Sequence, residues 1–119
     1  MKRTALKRSH KPMSKRSAKG NRIAYKDALA KIRCFRIFGS YCIFRDRVPH
    51  VCLGPIDPMH NFPKGLYPWL RFDPRNIMPG CRWLHDYFHA HPKEARQLML
   101  DELSPTDAAK LQQLARLRR

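Results

Sequence analysis

The chain has 119 residues, of which 43% are apolar, so it can build the core of one small domain but not of two. It carries 25 Lys and Arg residues against nine Asp and Glu residues, a formal net charge of +16, and this excess predicts a polyanionic partner, most often nucleic acid. No apolar run approaches the ~20 residues that span a membrane, and no apolar stretch follows the N-terminal charges. We therefore expect a cytoplasmic protein without a membrane helix or a secretory signal.

The first 22 residues are predicted to be a disordered basic arm. They contain nine basic residues, no acidic residue and few apolar ones, so they cannot bury enough surface to fold alone. Such an arm can gain order on nucleic-acid phosphates, although a solubilising tail or a ribosomal-type extension has the same composition. Its candidate DNA-binding residues belong to two Lys-Arg-Ser repeats: Lys7, Arg8, Lys15 and Arg16.

The segment after the arm is predicted to begin with an amphipathic helix. Apolar side chains recur at roughly helical intervals over residues 23–38, and Gly39-Ser40 ends the pattern. Two short β-prone stretches, residues 41–44 and 48–53, follow and predict a hairpin. Residues 54–80 hold six of the ten prolines, so we expect mostly loop and short strand there.

Three helices are predicted in the rest of the chain. Residues 82–90 form the first, with Trp83, Leu84, Tyr87 and Phe88 directed inward. Proline at position 92 ends that helix and begins the second, which runs to about residue 103. Serine at position 104 is the expected N-cap of the last helix, which carries three arginines near its C-terminal end.

Three histidines and one asparagine follow one another at spacings that suit a phosphodiesterase site. His60, Asn76, His85 and His89 are separated by 16, 9 and 4 residues. Residues four apart share one face of a helix, so His85 and His89 can direct two imidazoles at one metal ion. His60 lies outside that helix and could take a proton from water.

The same stretches resemble a known nuclease family. CLGPIDPMH, RFDPRNIMPGC and HDYFHAHP resemble the HNH, or ββα-metal, endonucleases, including the NinG/Rap-like recombination nucleases of phages and prophages. The resemblance covers about residues 42–103. It implies an α+β nuclease domain over residues 23–119, with an N-terminal helix, a ββα-metal core at about residues 48–91 and two C-terminal helices in residues 92–119. It also implies a DNA endonuclease of the host bacterial cytoplasm that acts on double-stranded or branched recombination DNA.

The resemblance also implies a role for each residue of the series. His60 matches the general base that deprotonates the attacking water, and Asn76 matches the residue that orients this base by hydrogen-bonding to it across the hairpin. His85 and His89 match the positions that hold one divalent ion (Mg, Mn, Ni or Zn), which stabilises charge on the scissile phosphate and the leaving oxygen.

The position before the general base departs from many relatives, which carry Asp or His there as a further metal ligand. This chain has Met59, whose thioether is poorly suited to Mg²⁺ or Mn²⁺. Asp57 is the nearest carboxylate and could serve as the third ligand. Otherwise two histidines, phosphate oxygens and water would hold the ion.

A structural zinc site is a second possibility. Many HNH domains bind structural zinc through CxxC pairs, but this chain contains none. Cys42, Cys52 and Cys81 with His50 could form a site, although their spacings are not diagnostic. Because disulfides are rare in the cytoplasm, we interpret the cysteines, including Cys34, as reduced thiols, and we prefer buried thiols without a metal.

Three arginines near the histidine series are candidates to bind phosphates. Arg71 and Arg75 flank the approach to Asn76, and Arg82 opens the following helix. Pairing of Arg71 with Asp73 is an equally good interpretation.

Two alternatives to a nuclease also stay open: a non-catalytic DNA-binding module with a degenerate HNH site, and a basic structural nucleic-acid-binding protein.

Overall fold

Four α-helices and one small antiparallel sheet make up the part of the chain that the structure, a computed structural model, describes, which is residues 17–117. The predicted α+β class is therefore confirmed. The elements follow in the order α1 (Ala18–Phe38), β1 (Ile56–His60), β2 (Ile77–Cys81), α2 (Arg82–Ala90), α3 (Pro92–Asp101) and α4 (Pro105–Ala115).

Helix α1 confirms the first predicted helix but begins five residues earlier. The Oγ of Ser17 accepts a hydrogen bond from the Gly20 amide at 3.0 Å, which caps the N-terminus. Gly39 ends the helix with a φ of 98°, a conformation that favours glycine. Residues 18–22, predicted as part of the arm, therefore belong to α1. The arm residues Lys7, Arg8, Lys15 and Arg16 lie outside the described residues.

The hairpin predicted within residues 41–53 is wrong, because this segment forms turns and irregular chain with no strand. Phe44 and Val48 are both buried, and the Val48 amide donates to the Phe44 carbonyl at 2.9 Å. The two inward side chains are thus four residues apart across a turn, whereas strand alternation would place them two apart. Val51 and Leu53 are exposed, so the β-prone residues of the second stretch do not build a sheet face.

The two strands lie instead on either side of the proline-rich loop. Strands β1 and β2 pair antiparallel, with Met59 opposite Met78 and His60 opposite Ile77. Helix α2 follows β2 directly and has the predicted bounds. Its Leu84 and Phe88 are buried, but Trp83 is 37% exposed, which corrects its predicted inward orientation.

The C-terminal helices α3 and α4 confirm the last two predicted helices, and the Oγ of Ser104 caps α4 by accepting from the Asp107 amide. The last helix was predicted to run to the C-terminus, but α4 ends at Ala115 and Arg116 is its C-cap. Leu100 and Leu111 pack with Phe62 and Leu70, which ties the loop between the strands to these helices. None of the helices within residues 17–117 is long and apolar enough to cross a membrane.

Candidate active-site cavity and metal centre

The three histidines of the sequence series meet at one cavity of about 500 Å³. His60 enters it from the end of β1, and His85 and His89 enter it from α2. The rings of His85 and His89 lie 4.8 Å apart between centroids, as expected for residues one helical turn apart. No Asp or Glu residue of the described chain lines the cavity. We call this space the histidine cavity.

His60 is held in a tautomer that suits a general base. Its Nε2 lies 2.8 Å from the carbonyl oxygen of Arg71, and because a carbonyl can only accept, Nε2 must carry the proton. The lone pair of the neutral ring is then on Nδ1, for which residues 17–117 provide no hydrogen-bond donor. Burial lowers the pKa of His60 below its usual value, and the positive charges of Lys64 and Arg71 act in the same direction.

Asp57 orients His85 and is itself held by Arg82. Its carboxylate accepts from Nδ1 of His85 at 3.1 Å, which leaves Nε2 of that ring as the acceptor nitrogen. Arg82 donates to both oxygens of the same carboxylate, at 2.6 and 3.1 Å. The hydrogen bonds from Arg82, with a smaller contribution from His85, keep the pKa of Asp57 below its usual value despite partial burial.

Asn76 is fully buried and fastens the loop between the strands rather than contacting the His60 ring. Its Oδ1 accepts from the Phe62 amide at 2.7 Å, and its Nδ2 donates to the carbonyls of Phe62 and Leu70 at 3.0 and 3.1 Å. All the hydrogen bonds of the Asn76 side-chain amide are therefore made with backbone groups. The predicted direct bond to His60 is absent from the described part of the chain. Asn76 acts on His60 only through the backbone, because Leu70 immediately precedes the residue whose carbonyl holds the ring.

Met59, which precedes the candidate base, is a core residue. It is 2% exposed and packs over Gly80 of β2, where a Cβ atom would come within 2.5 Å of the Met59 methyl group. The thioether therefore fills the space that the missing side chain of Gly80 leaves open. It packs in the core and is not available to a metal ion.

Cys42, His50, Cys52 and Cys81 form a second cluster whose ligand atoms all lie within 4.8 Å of one another. Nε2 of His50 lies 3.8, 3.5 and 3.3 Å from the sulfurs of Cys42, Cys52 and Cys81. Bonds of about 2.3 Å to sulfur and about 2.0 Å to nitrogen at a tetrahedral angle would separate the ligand atoms by about 3.6 Å. The cluster can therefore hold a metal ion. We call it the Cys₃His cluster.

The surroundings of the Cys₃His cluster also suit metal binding. Nδ1 of His50 donates to the carbonyl of Val48, which directs Nε2 at the three sulfurs. The Trp83 ring stacks on the His50 ring at 4.8 Å between centroids. Burial alone would raise the pKa of the Cys81 thiol, but hydrogen bonds from the Leu84 and Leu53 amides to its sulfur, together with its contacts with His50 and Cys52, lower it to about 7.

Within residues 17–117 the Cys₃His cluster is the one group of three or more Cys, His, Asp or Glu side chains gathered closely enough to share an ion. Asp57, His85 and His89 are not gathered in this way.

Cys34 of α1 lies apart from the Cys₃His cluster and is buried against Ile77. Burial raises the pKa of its thiol to about 11, as for an inert core thiol.

Each of the three arginines that were predicted to bind phosphates forms an ion pair with a carboxylate. Arg71 pairs with Asp27 of α1 through two bonds of 2.9 and 2.6 Å, not with Asp73. Arg75 pairs with Asp73 instead, since the short 3-10 turn that Asp73 caps brings the two side chains together. With Arg82 held by the Asp57 carboxylate, the three predicted phosphate contacts are engaged within the chain.

Comparisons with protein-family models, curated proteins and solved structures find no match to this chain. The site must therefore be interpreted from its own chemistry.

The sequence pointed to the three histidines of the cavity and to all four residues of the Cys₃His cluster. It favoured thiols without a metal, because the intervals between these residues follow no zinc-binding motif, and only the fold brings them together. Three further polar residues of the cavity, Asn61, Lys64 and Arg96, escaped prediction. For Asn61 the available signal was its position directly after His60, whereas Lys64 and Arg96 offered none beyond their charge.

Proposed function

We propose that the protein is a metal-dependent endonuclease of the HNH type that hydrolyses DNA phosphodiester bonds. The observation that carries the proposal is that His60, His85 and His89 line one cavity at the junction of β1 and α2. The strand–loop–strand–helix order of residues 56–90 agrees with the small ββα core implied by the sequence resemblance.

In this proposal His60 is the general base. Its lowered pKa keeps the ring neutral at physiological pH, and the Arg71 carbonyl holds the proton on Nε2. Nδ1 can then accept a proton from the attacking water. Asn76 positions the base indirectly, because it anchors the carbonyl of Leu70 next to Arg71 in the loop.

His85 and His89 would hold the divalent ion of the reaction. Such an ion supplies Lewis-acid stabilisation of charge on the scissile phosphate and the leaving oxygen. Imidazole nitrogens suit Ni²⁺ and Zn²⁺ better than Mg²⁺ or Mn²⁺. Asp57 serves to orient His85 rather than to bind the ion, since Arg82 occupies its carboxylate. Phosphate oxygens and water would complete the coordination shell.

The Cys₃His cluster would hold a structural zinc ion. Three thiolates and one imidazole form a common set of zinc ligands, and they come from separate parts of the chain. Cys81 is at once the end of β2 and the N-cap of α2, where its sulfur accepts from the Leu84 amide. A zinc ion there would fix the irregular segment of residues 42–52 against the helix that carries His85 and His89.

The charge of the chain supports DNA as the substrate. A net charge of +16 favours a phosphate polyanion, and the resemblance adds branched or recombination DNA of phages as the substrate type. One observation favours the alternative of a non-catalytic DNA-binding module: no third metal ligand accompanies His85 and His89 within residues 17–117.

Nicking of supercoiled plasmid tests the proposal. The protein is incubated with Mg²⁺, Mn²⁺, Ni²⁺ or Zn²⁺ beside His60→Ala and the matched control His91→Ala, since His91 is exposed and does not line the cavity. We expect metal-dependent nicking by the parent protein and by His91→Ala. Removal of the base should slow cleavage by at least about a hundredfold in His60→Ala.

The other outcomes separate the alternatives. Retardation of plasmid and branched DNA without cleavage in any metal would contradict the endonuclease and favour the binding module. Equal nicking by His60→Ala would exclude His60 as the base. Absence of DNA affinity at moderate salt would leave the basic structural protein.

A further inference from the structure

Asn61, one of the residues that line the histidine cavity, has a buried hydrogen-bond donor without an acceptor in the described part of the chain. Asn61 directly follows the candidate base, lines the cavity and is only 8% exposed. Its Oδ1 accepts from Nε of Arg96 at 3.1 Å, whereas its Nδ2 has no partner within residues 17–117. Because a guanidinium can only donate, the amide oxygen must face Arg96 and the nitrogen is the unpaired end. Buried polar groups normally have partners, so this donor suggests a ligand.

Arg96 presents further donors beside Asn61. Its guanidinium carbon lies 3.9 Å from the centroid of the Phe62 ring, which fixes the plane of the group against the loop. Nε is used by Asn61, but neither Nη atom has a hydrogen-bond or ion-pair partner in the described part of the chain. The oxygen and nitrogen of one carboxamide are about 2.2 Å apart, so Nδ2 of Asn61 lies within roughly 5.3 Å of Nε of Arg96. One tetrahedral anion can reach both residues.

The remaining lining of the cavity favours an anion over other ligands. No carboxylate of the described residues lines it, and the exposed Lys64 contributes a second positive charge at the same cavity. Arg71, Arg75 and Arg82 are each neutralised by a carboxylate, whereas Arg96 and Lys64 have no such partner among residues 17–117. The unpaired donors and the uncompensated positive charges of the cavity therefore belong to Asn61, Arg96 and Lys64.

We propose that Asn61 and Arg96 form a phosphate-binding subsite of the histidine cavity. A planar guanidinium binds phosphate oxygens with two parallel hydrogen bonds, and the amide nitrogen of Asn61 donates a further bond. The phosphate is a non-scissile one of the nucleic-acid strand, adjacent to the bond that is cleaved with His60 as the base. This last identification rests on the proposed endonuclease function, but the capacity to bind a phosphate does not.

Side-chain NMR signals test the subsite without any need for catalysis. The ¹⁵N-labelled full-length protein is titrated with inorganic phosphate and, as His60→Ala, with a short DNA duplex, while the Asn61 amide and Arg96 guanidinium signals are followed. Asn61→Asp keeps the acceptor for Arg96 but replaces the donor with a negative charge. Arg96→Lys keeps the charge but removes the planar pair of donors, and Lys93→Gln on the exposed side of α3 is the matched control.

We expect saturable shifts of the Asn61 and Arg96 signals in the parent protein and in Lys93→Gln. Asn61→Asp and Arg96→Lys should weaken phosphate binding by about tenfold or more, because each variant lacks a hydrogen bond to a charged ligand. Thermal unfolding of each variant checks that it is folded. No shift with either ligand, or equal affinity in Asn61→Asp, would overturn the subsite and leave an ordered water as the partner of Nδ2.

Plasmid nicking separates failure of the subsite from failure of the nuclease. Phosphate binding by the parent protein without cleavage in any metal would retain the subsite and reject the endonuclease. Metal-dependent cleavage that Asn61→Asp and Arg96→Lys leave unchanged would retain the endonuclease and reject the subsite.

Discussion

At the scale of single residues, His60, His85 and Asn61 of the histidine cavity are each held by a hydrogen bond to a group that is distant in the sequence. The four-residue interval of His85 and His89 predicted their shared face, because helix geometry fixes it. The partner of Asn76 was predicted wrongly, since nothing in its spacing from His60 shows that three backbone groups of the loop surround it. The unpaired amide of Asn61 could not be found from the sequence, because it depends on Arg96, 35 residues further along.

The lowered pKa of His60 leads to a prediction about stability and pH. Because the His60 ring is buried, its pKa in the folded state is lower than in the unfolded chain, where it is near 6.5. The unfolded state then binds more protons, so the free energy of unfolding should fall as the pH drops from about 6.5 toward the folded pKa. NMR titration of the His60 ring should give a pKa below 6.5. Urea unfolding between about pH 5 and pH 7.5 should show a smaller pH dependence in His60→Ala.

Charge variants near His60 provide the control for that prediction. Lys64 lowers the pKa of His60, so Lys64→Met should raise it, whereas Asp27→Asn should lower it further. Lys110→Met on the exposed side of α4 is the matched control and should leave it unchanged. A His60 pKa at or above 6.5 in the parent protein would contradict the burial explanation.

At the scale of elements, helices were more predictable than strands. The four helices follow from local signals, namely apolar periodicity, the proline at position 92 and the cap at Ser104, although the cap at Ser17 was missed and α1 begins five residues before its predicted start. The hairpin prediction failed because residues 41–53 have β propensity without a partner strand. Their turns instead bring Cys42, His50 and Cys52 to Cys81. This convergence depends on turn conformations that the sequence does not specify by any regular period.

The Cys₃His cluster leads to a prediction at this scale. We expect the protein to contain one zinc ion per chain, measured by mass spectrometry of the metal after gel filtration. Cys52→Ser should lose most of the zinc, because it removes one of four ligands from an exposed position of the cluster. Cys34→Ala removes a buried thiol elsewhere in the core and should keep the zinc.

Removal of zinc should destabilise the fold around α2. A strong chelator is expected to lower the unfolding temperature of the parent protein but not that of Cys52→Ser, since the binding energy of a structural zinc is folding energy. Full zinc content in Cys52→Ser, or the same unfolding temperature with and without chelator, would show that the four residues are reduced side chains without a metal.

At the scale of the whole molecule, the uneven charge is the property most firmly established by composition. Ion pairs within residues 17–117 engage Asp27, Asp57, Asp73, Asp101 and Glu102, so much of the acidic minority is used inside the fold. The positive charge of the chain is therefore not balanced by these carboxylates. Net charge alone does not locate the proposed DNA-binding surface, and residues 1–16 are predicted to contribute to it from their composition.

Salt dependence of DNA binding measures the contribution of residues 1–16. In a full-length variant with Gln at the seven Lys and Arg positions of this segment, the formal net charge falls by seven, from +16 to +9. Both forms carry His60→Ala, so that DNA stays intact. We expect the Gln variant to bind a DNA duplex more weakly, with a slope of log affinity against log salt that is shallower by about 0.9 for each phosphate that these side chains neutralise in the parent protein.

A matched variant that exchanges Lys and Arg at the same seven positions keeps the charge and should keep the slope, because the slope depends on the number of phosphates neutralised rather than on the identity of the cation. Identical slopes in the Gln variant and the parent protein would show that these residues act only as a solubilising tail. The DNA contacts would then have to come from the folded domain, where Arg96 and Lys64 of the histidine cavity are cations without a carboxylate partner among residues 17–117.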